Sequence, residues 1–110
     1  MRTHQEIDQR SLALHRLVAT KIRSDPALLD KAGEILRRWR ETVCVNTQPY
    51  LEEWRRLMEQ GPDACLAVAV EESEHAAALR QSSPLSCLLT NQERFRFLKE
   101  WNRNHDHAPR

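Results

Sequence analysis

Two glycines in 110 residues, Gly33 and Gly61, constrain this chain more than any other feature of it. Tight β-hairpins rely on glycine for backbone angles that other residues avoid, and half-buried strands need apolar and polar side chains in alternation. Here glycine is scarce, and the few β-branched residues never alternate with polar ones over a strand's length. Apolar residues recur instead at spacings of three and four, which is the helical period. The expected fold is all-α, a compact bundle of five to six helices forming a single domain over residues 1–110, with 105–110 as a frayed tail. At this length one hydrophobic core can be built, and two cannot.

The first helix is expected over about Glu6–Arg23, with Ile7, Leu14, Leu17, Val18 and Ile22 on its inward arc and Leu12 pointing elsewhere. Ser24, Asp25 and Pro26 stop it and start the next, Asp25 as cap and Pro26 at the first helical position. That second helix gathers Leu28, Leu29, Ala32, Ile35, Leu36, Trp39 and Val43 on one face and leaves Lys31, Arg37, Arg38 and Arg40 outside. After a loop over Cys44–Gln48, Pro49 opens a third helix carrying Tyr50, Leu51, Trp54, Leu57 and Met58, which Gly61 and Pro62 end. Ala64–Val70 reads as a buried helix, although a strand also fits its pattern. Ser73 caps or kinks the approach to the helical run Ala76–Leu79, and Ser82, Ser83 and Pro84 break that run. A loop of about seven residues then reaches Thr90. Thr90-Asn91-Gln92-Glu93 has the spacing of a capping box, so the last helix starts there and ends near Asn104. The expected core comprises Leu14, Val18, Leu28, Ile35, Leu36, Trp39, Leu51, Trp54, Leu57 and Leu98.

Charge excludes a general nucleic-acid coater, since seventeen basic and sixteen acidic side chains leave a formal charge of +1. Its distribution is uneven: residues 61–90 hold a single basic residue, Arg80, against four acidic ones. Cys44, Cys65 and Cys87 are odd in number and far apart, which fits neither a disulfide framework nor a zinc knuckle, and they read as reduced packing groups in a cytoplasmic protein. No secretory signal and no membrane span are recognisable. The five histidines form no ligand spacing, so no metal and no cofactor are expected; Glu71 and His75, one helical turn apart, read as a surface pair. Sequence-specific DNA reading is disfavoured, because the residues after Gly61 are apolar where a recognition helix would be polar.

Two features bear on function. Arg10-Ser11-Leu12-Ala13-Leu14-His15 matches the R-x4-H pattern of HEPN ribonucleases, metal-independent helical-bundle enzymes, and would make Arg10 and His15 the catalytic pair. Fourteen arginines and five histidines supply about two R-x-H matches by chance when spacers of four to six residues are allowed, and in a regular helix the two residues diverge by about 140°. The last helix offers a different reading: Phe95, Phe97, Leu98 and Trp101 cover a wide apolar arc that includes Arg94, and Arg96, Lys99 and Arg103 form a basic stripe beside Phe95. Arginine and aromatic residues dominate protein interface hot spots. Arg94, Phe97 and Trp101, with Arg80, Gln81, Ser83 and Pro84 presented on a turn pre-shaped by the proline, are the expected partner-binding residues.

The stretches Leu12–Trp39 and Tyr50–Trp101, above all Arg80-Gln81-Ser82-Ser83-Pro84 and Leu89-Thr90-Asn91-Gln92-Glu93-Arg94-Phe95, resemble small helical bacterial proteins of the type of antitoxin partners of nucleotidyltransferase-like toxins. The resemblance covers about four fifths of the chain. It implies a non-catalytic cytoplasmic binding module that neutralises or regulates a cognate toxin or enzyme by direct contact, and it leaves a homodimer open.

Overall fold

The computed structural model describes residues 4–42 and 45–105. Six helices occupy them: α1 (His4–Ser24), α2 (Leu28–Thr42), α3 (Gln48–Gln60), α4 (Pro62–Ala69), α5 (Glu74–Arg80) and α6 (Asn91–His105). Two short 3-10 turns, Val45–Thr47 and Pro84–Leu88, join them, and the described residues contain no strand. Val43, Cys44 and residues 106–110 lie outside the described residues; of the expected tail over 105–110, His105 belongs to α6.

Local signals set most boundaries. The Asp25 amide donates back to the Lys21 and Ile22 carbonyls and closes α1. The Pro26–Ala27 turn is tight, with Leu28 donating to Asp25 and Leu29 to Pro26, so α2 begins at Leu28 rather than at the proline. Gly61 both ends α3 and caps α4 at φ 113°, a conformation that a side chain at this position would strain. Pro62 follows it at the first turn of α4, whose helical form settles the ambiguity of residues 64–70. Ser73 Oγ accepts from the Ala76 amide at 3.1 Å and caps α5. At Thr90 the expected reciprocal box is present: the Glu93 amide donates to Thr90 Oγ1 at 3.1 Å and the Thr90 amide to Glu93 Oε1 at 2.8 Å.

The core lies among α1 to α5 and the Pro84–Leu88 turn. Val18, Leu36, Leu51 and Trp54 are buried in it as expected, and Leu14, Leu28, Ile35, Trp39 and Leu57 pack half-buried around it. Trp54 is completely enclosed, its indole Nε1 donating to the Leu79 carbonyl at 2.9 Å, which ties α3 to α5. Leu98 is not part of this core; it lies half-buried on α6, away from the cluster.

Two further expectations are corrected. On α1 the buried arc is Leu12, His15, Val18, Ala19 and Ile22, while Ile7 and Leu17 are exposed, because α4 and α5 pack on the side that carries Leu12 and His15. The segment before α6 is not a surface loop: its 3-10 spacing puts Leu85 and Leu88 on one side, and both are buried, with Leu89, against α1 and α2.

Candidate functional site

The expected docking surface divides into an interior part and an outer part. Arg80, Ser83 and Pro84 are buried and so form no presented edge. The burial of Pro84 and Leu85 draws their cap inward, where Ser83 Oγ accepts from the Leu85 amide at 3.1 Å. Arg80 turns inward as well, and its Nη1 donates to the Ala69 carbonyl at 3.3 Å and the Glu71 carbonyl at 2.8 Å. Of that stretch only Gln81 is exposed.

The outer part is α6, in which no described side chain is fully buried. Its base is anchored at three points. Arg94 donates to the Ser86 carbonyl, joining the helix to the preceding turn. Lys21 on α1 donates to the Leu88 carbonyl at 2.9 Å and to Glu93 at 2.5 Å. The Lys21 ammonium, helped by the Thr90 amide, holds the Glu93 carboxyl down to about 2. Farther along, Phe97 and Trp101 stack at 6.2 Å between ring centroids and are half-buried. Leu98, half-buried, lies between them and Phe95 around the helix.

On the opposite side Phe95 is 70% exposed. Asn91, Gln92, Arg96 and Lys99 surround it, and Arg103 lies two turns along on the same side. Arg96, Lys99 and Arg103 make no ion pair among the described residues. By sequence, Phe95 falls on one wide apolar arc with Phe97, Leu98 and Trp101. The signal for its exposure is the polar company on both flanks: Gln92 and Lys99, three residues before and four after, share its face.

The R-x4-H residues do not converge within the chain. Because α1 begins at His4, Arg10 and His15 both belong to its regular interior and point about 140° apart. Arg10 is half-buried, whereas His15 is 1% exposed. A carbonyl can only accept, so the 2.8 Å contact with Ser11 makes His15 Nδ1 the donor and leaves Nε2 as a lone-pair acceptor. That Nε2 is buried and has no partner among the described residues. Burial, and secondarily the positive charge of Arg80, pushes the His15 pKa down to about 4, so the ring is neutral at physiological pH.

Other titratable groups are occupied in holding the fold. Glu52 bonds to Arg55 and also pairs with Arg40 and Arg56, and the Arg55 bond chiefly holds its carboxyl down at about 2. His75 pairs with Glu53 on α3 at 2.8 Å and not with Glu71, which precedes α5 in non-helical chain and accepts from Ser73. Cys65 is buried and its thiol is pushed up to about 12, which makes it an inert packing group; Cys87 is exposed, against expectation. No three His, Cys, Asp or Glu side chains among the described residues gather into a metal-sized cluster, and no described helix is long and apolar enough to cross a membrane. Comparison of the chain with protein family models, with curated proteins and with solved structures finds no match.

Proposed function

We propose that this chain is a protein-binding module that docks on its partner through α6 and contributes no catalysis of its own. The observation that carries this reading is Phe95, a large aromatic left 70% exposed in the middle of a basic helix face. A side chain of this kind gains by entering an apolar pocket on another protein, and Arg96, Lys99 and Arg103 around it match an acidic rim. Phe97 and Trp101, stacked behind, stiffen the helix that presents it. The resemblance to antitoxin-type proteins supplies the class of partner: a cognate toxin or enzyme, of nucleotidyltransferase type, regulated by direct contact in the bacterial cytoplasm.

Co-expression with the product of the adjacent gene, followed by affinity measurement on the purified complex, tests this. Phe95→Ala is expected to weaken binding about thirtyfold or more without unfolding the chain, the usual loss for a central aromatic anchor. Charge removal at Arg96 and Lys99 is expected to slow association and to flatten its salt dependence. A complex that forms equally well with Phe95→Ala places the contact elsewhere and sinks the α6 reading.

A further inference from the structure

The cleft between α1 and the start of α5 has a volume of about 540 Å³ and is lined by Leu12 and Ala77, by the carboxylates Asp8, Glu72 and Glu74, and by Arg80. Arg80 is 5% exposed, yet no carboxylate among the described residues forms an ion pair with it. Its Nη1 is committed to the carbonyls of Ala69 and Glu71. Nε is buried without a partner among the described residues, and Nη2 makes no hydrogen bond either. Of the two only Nη2 is reachable from outside, so a ligand meets one N–H group of the guanidinium and not a two-pronged edge. Buried guanidinium groups are normally paired, so an unpaired Nη2 on a cleft that Arg80 lines calls for an anion.

The remaining charge of the cleft is of the opposite sign. Asp8 acts on Arg80 through space without touching it, Glu74 lies on the same cleft, and Glu72, also on it, pairs with Arg16 at 3.8 Å. A simple anion would meet the carboxylates Asp8 and Glu74, which form no ion pair among the described residues, and a simple cation would meet Arg80. Both halves are satisfied by a molecule carrying a carboxylate and an ammonium a few ångströms apart. We propose that this cleft binds a free α-amino acid, its carboxylate on Nη2 of Arg80 and its ammonium between Asp8 and Glu74. Leu12 and Ala77 offer its side chain an apolar wall.

Amide NMR titration of the full chain with L-alanine tests the site, with N-acetyl-L-alanine and L-alaninamide as probes lacking one charge each. Saturable shifts at Leu12 and Ala77 are expected with L-alanine, and binding weaker by about tenfold or more with either analogue, since each loses one charge-assisted contact. Asp8→Asn, at a half-buried position on the rim, is expected to weaken L-alanine to a similar degree and to leave N-acetyl-L-alanine no worse. Arg80→Lys keeps the charge but loses the planar group that Nη1 fixes on the Ala69 and Glu71 carbonyls, and is expected to weaken L-alanine binding about tenfold or more. The proposal is overturned if L-alanine produces no saturable shift, if N-acetyl-L-alanine binds as well as L-alanine, or if Asp8→Asn leaves L-alanine binding unchanged.

Discussion

α3 and α6 carry similar side chains on similar amphipathic faces and end in opposite situations. Trp54 on α3 is fully enclosed and hydrogen-bonded to α5, whereas Phe97 and Trp101 on α6 are half-buried and stack on each other. α3 lies against α2 and α4, while α6 is held mainly at its first turn. The molecule is correspondingly extended, 48 × 32 × 24 Å, with a radius of gyration of 14.4 Å against about 13 Å for an ordinary domain of this size. An apolar helical stripe thus states that a face is to be covered, and the rest of the chain decides whether it is covered from within.

The largest contrast should come from truncating one aromatic in each region. Trp54→Ala is expected to cost about 3–5 kcal/mol through the cavity it leaves, with the Leu79 carbonyl also losing its donor. That is a large part of the stability of a small domain. Phe95→Ala, at an exposed site, should change stability by less than about 0.5 kcal/mol. Urea unfolding of the two variants checks this, and a comparable loss in both would erase the distinction between core and outlying helix. Trp39, which composition alone would rank with Trp54, is only half-buried and should fall between them.

A second difference lies in how each region responds to acid. His15 sits in the α1–α5 layer with its pKa lowered to about 4 from the ordinary 6.5. The unfolded chain therefore binds the proton first, and between pH 6.5 and 4 it holds more protons than the fold does. The stability that comes from keeping His15 neutral is complete above pH 6.5 and is lost as pH falls through 4, by about 3 kcal/mol in all. The carboxylates Glu52 and Glu93, both held at about 2, act in a lower window, from 4.5 downward. Unfolding free energies measured at pH 7 and pH 5 should differ in the native chain and converge in His15→Leu. An unchanged pH slope in that variant would mean that another group carries it.

What the sequence made legible follows the range of the interactions. The α2 stripe, the Ser73 cap and the Thr90–Glu93 box depend on residues within one or two turns, and all can be read directly. The buried side of α1 depends on α4 and α5, so its own pattern favoured Ile7 and Leu17 and passed over Leu12 and His15. Serine and proline before Leu85 suggested a loop, and only the packing of α1 and α2 shows that Leu85 and Leu88 form a buried wedge. Arginine is usually exposed, which made Arg80 look like a docking residue; the carbonyls of Ala69 and Glu71 that draw it inward lie eleven and nine residues away. Arg94, expected as a docking residue, donates to the Ser86 carbonyl and so anchors α6 to the turn before it, a bond that the spacing of eight residues does not announce.

The smallest expected effect separates the two means by which α6 is attached. Glu93 serves both, accepting from the Thr90 amide as half of the capping box and from Lys21 as an ion pair with α1. Glu93→Gln keeps an oxygen for the Thr90 amide and gives up the charge facing Lys21. Lys21→Met removes the same ion pair from the other side, together with the bond to the Leu88 carbonyl. If the ion pair orients α6, hydrogen exchange at a fixed pH should quicken along α6 in both variants, more in Lys21→Met, and stay unchanged at Leu51, Trp54 and Leu79. Local opening of this kind is confined to the weakly packed element, because the core makes its contacts without α6. Exchange along α6 that stays the same in both variants would assign its attachment to Arg94 and the Phe97–Trp101 side, and α6 would then reach a partner already fixed in direction and not as a helix pivoting on its first turn.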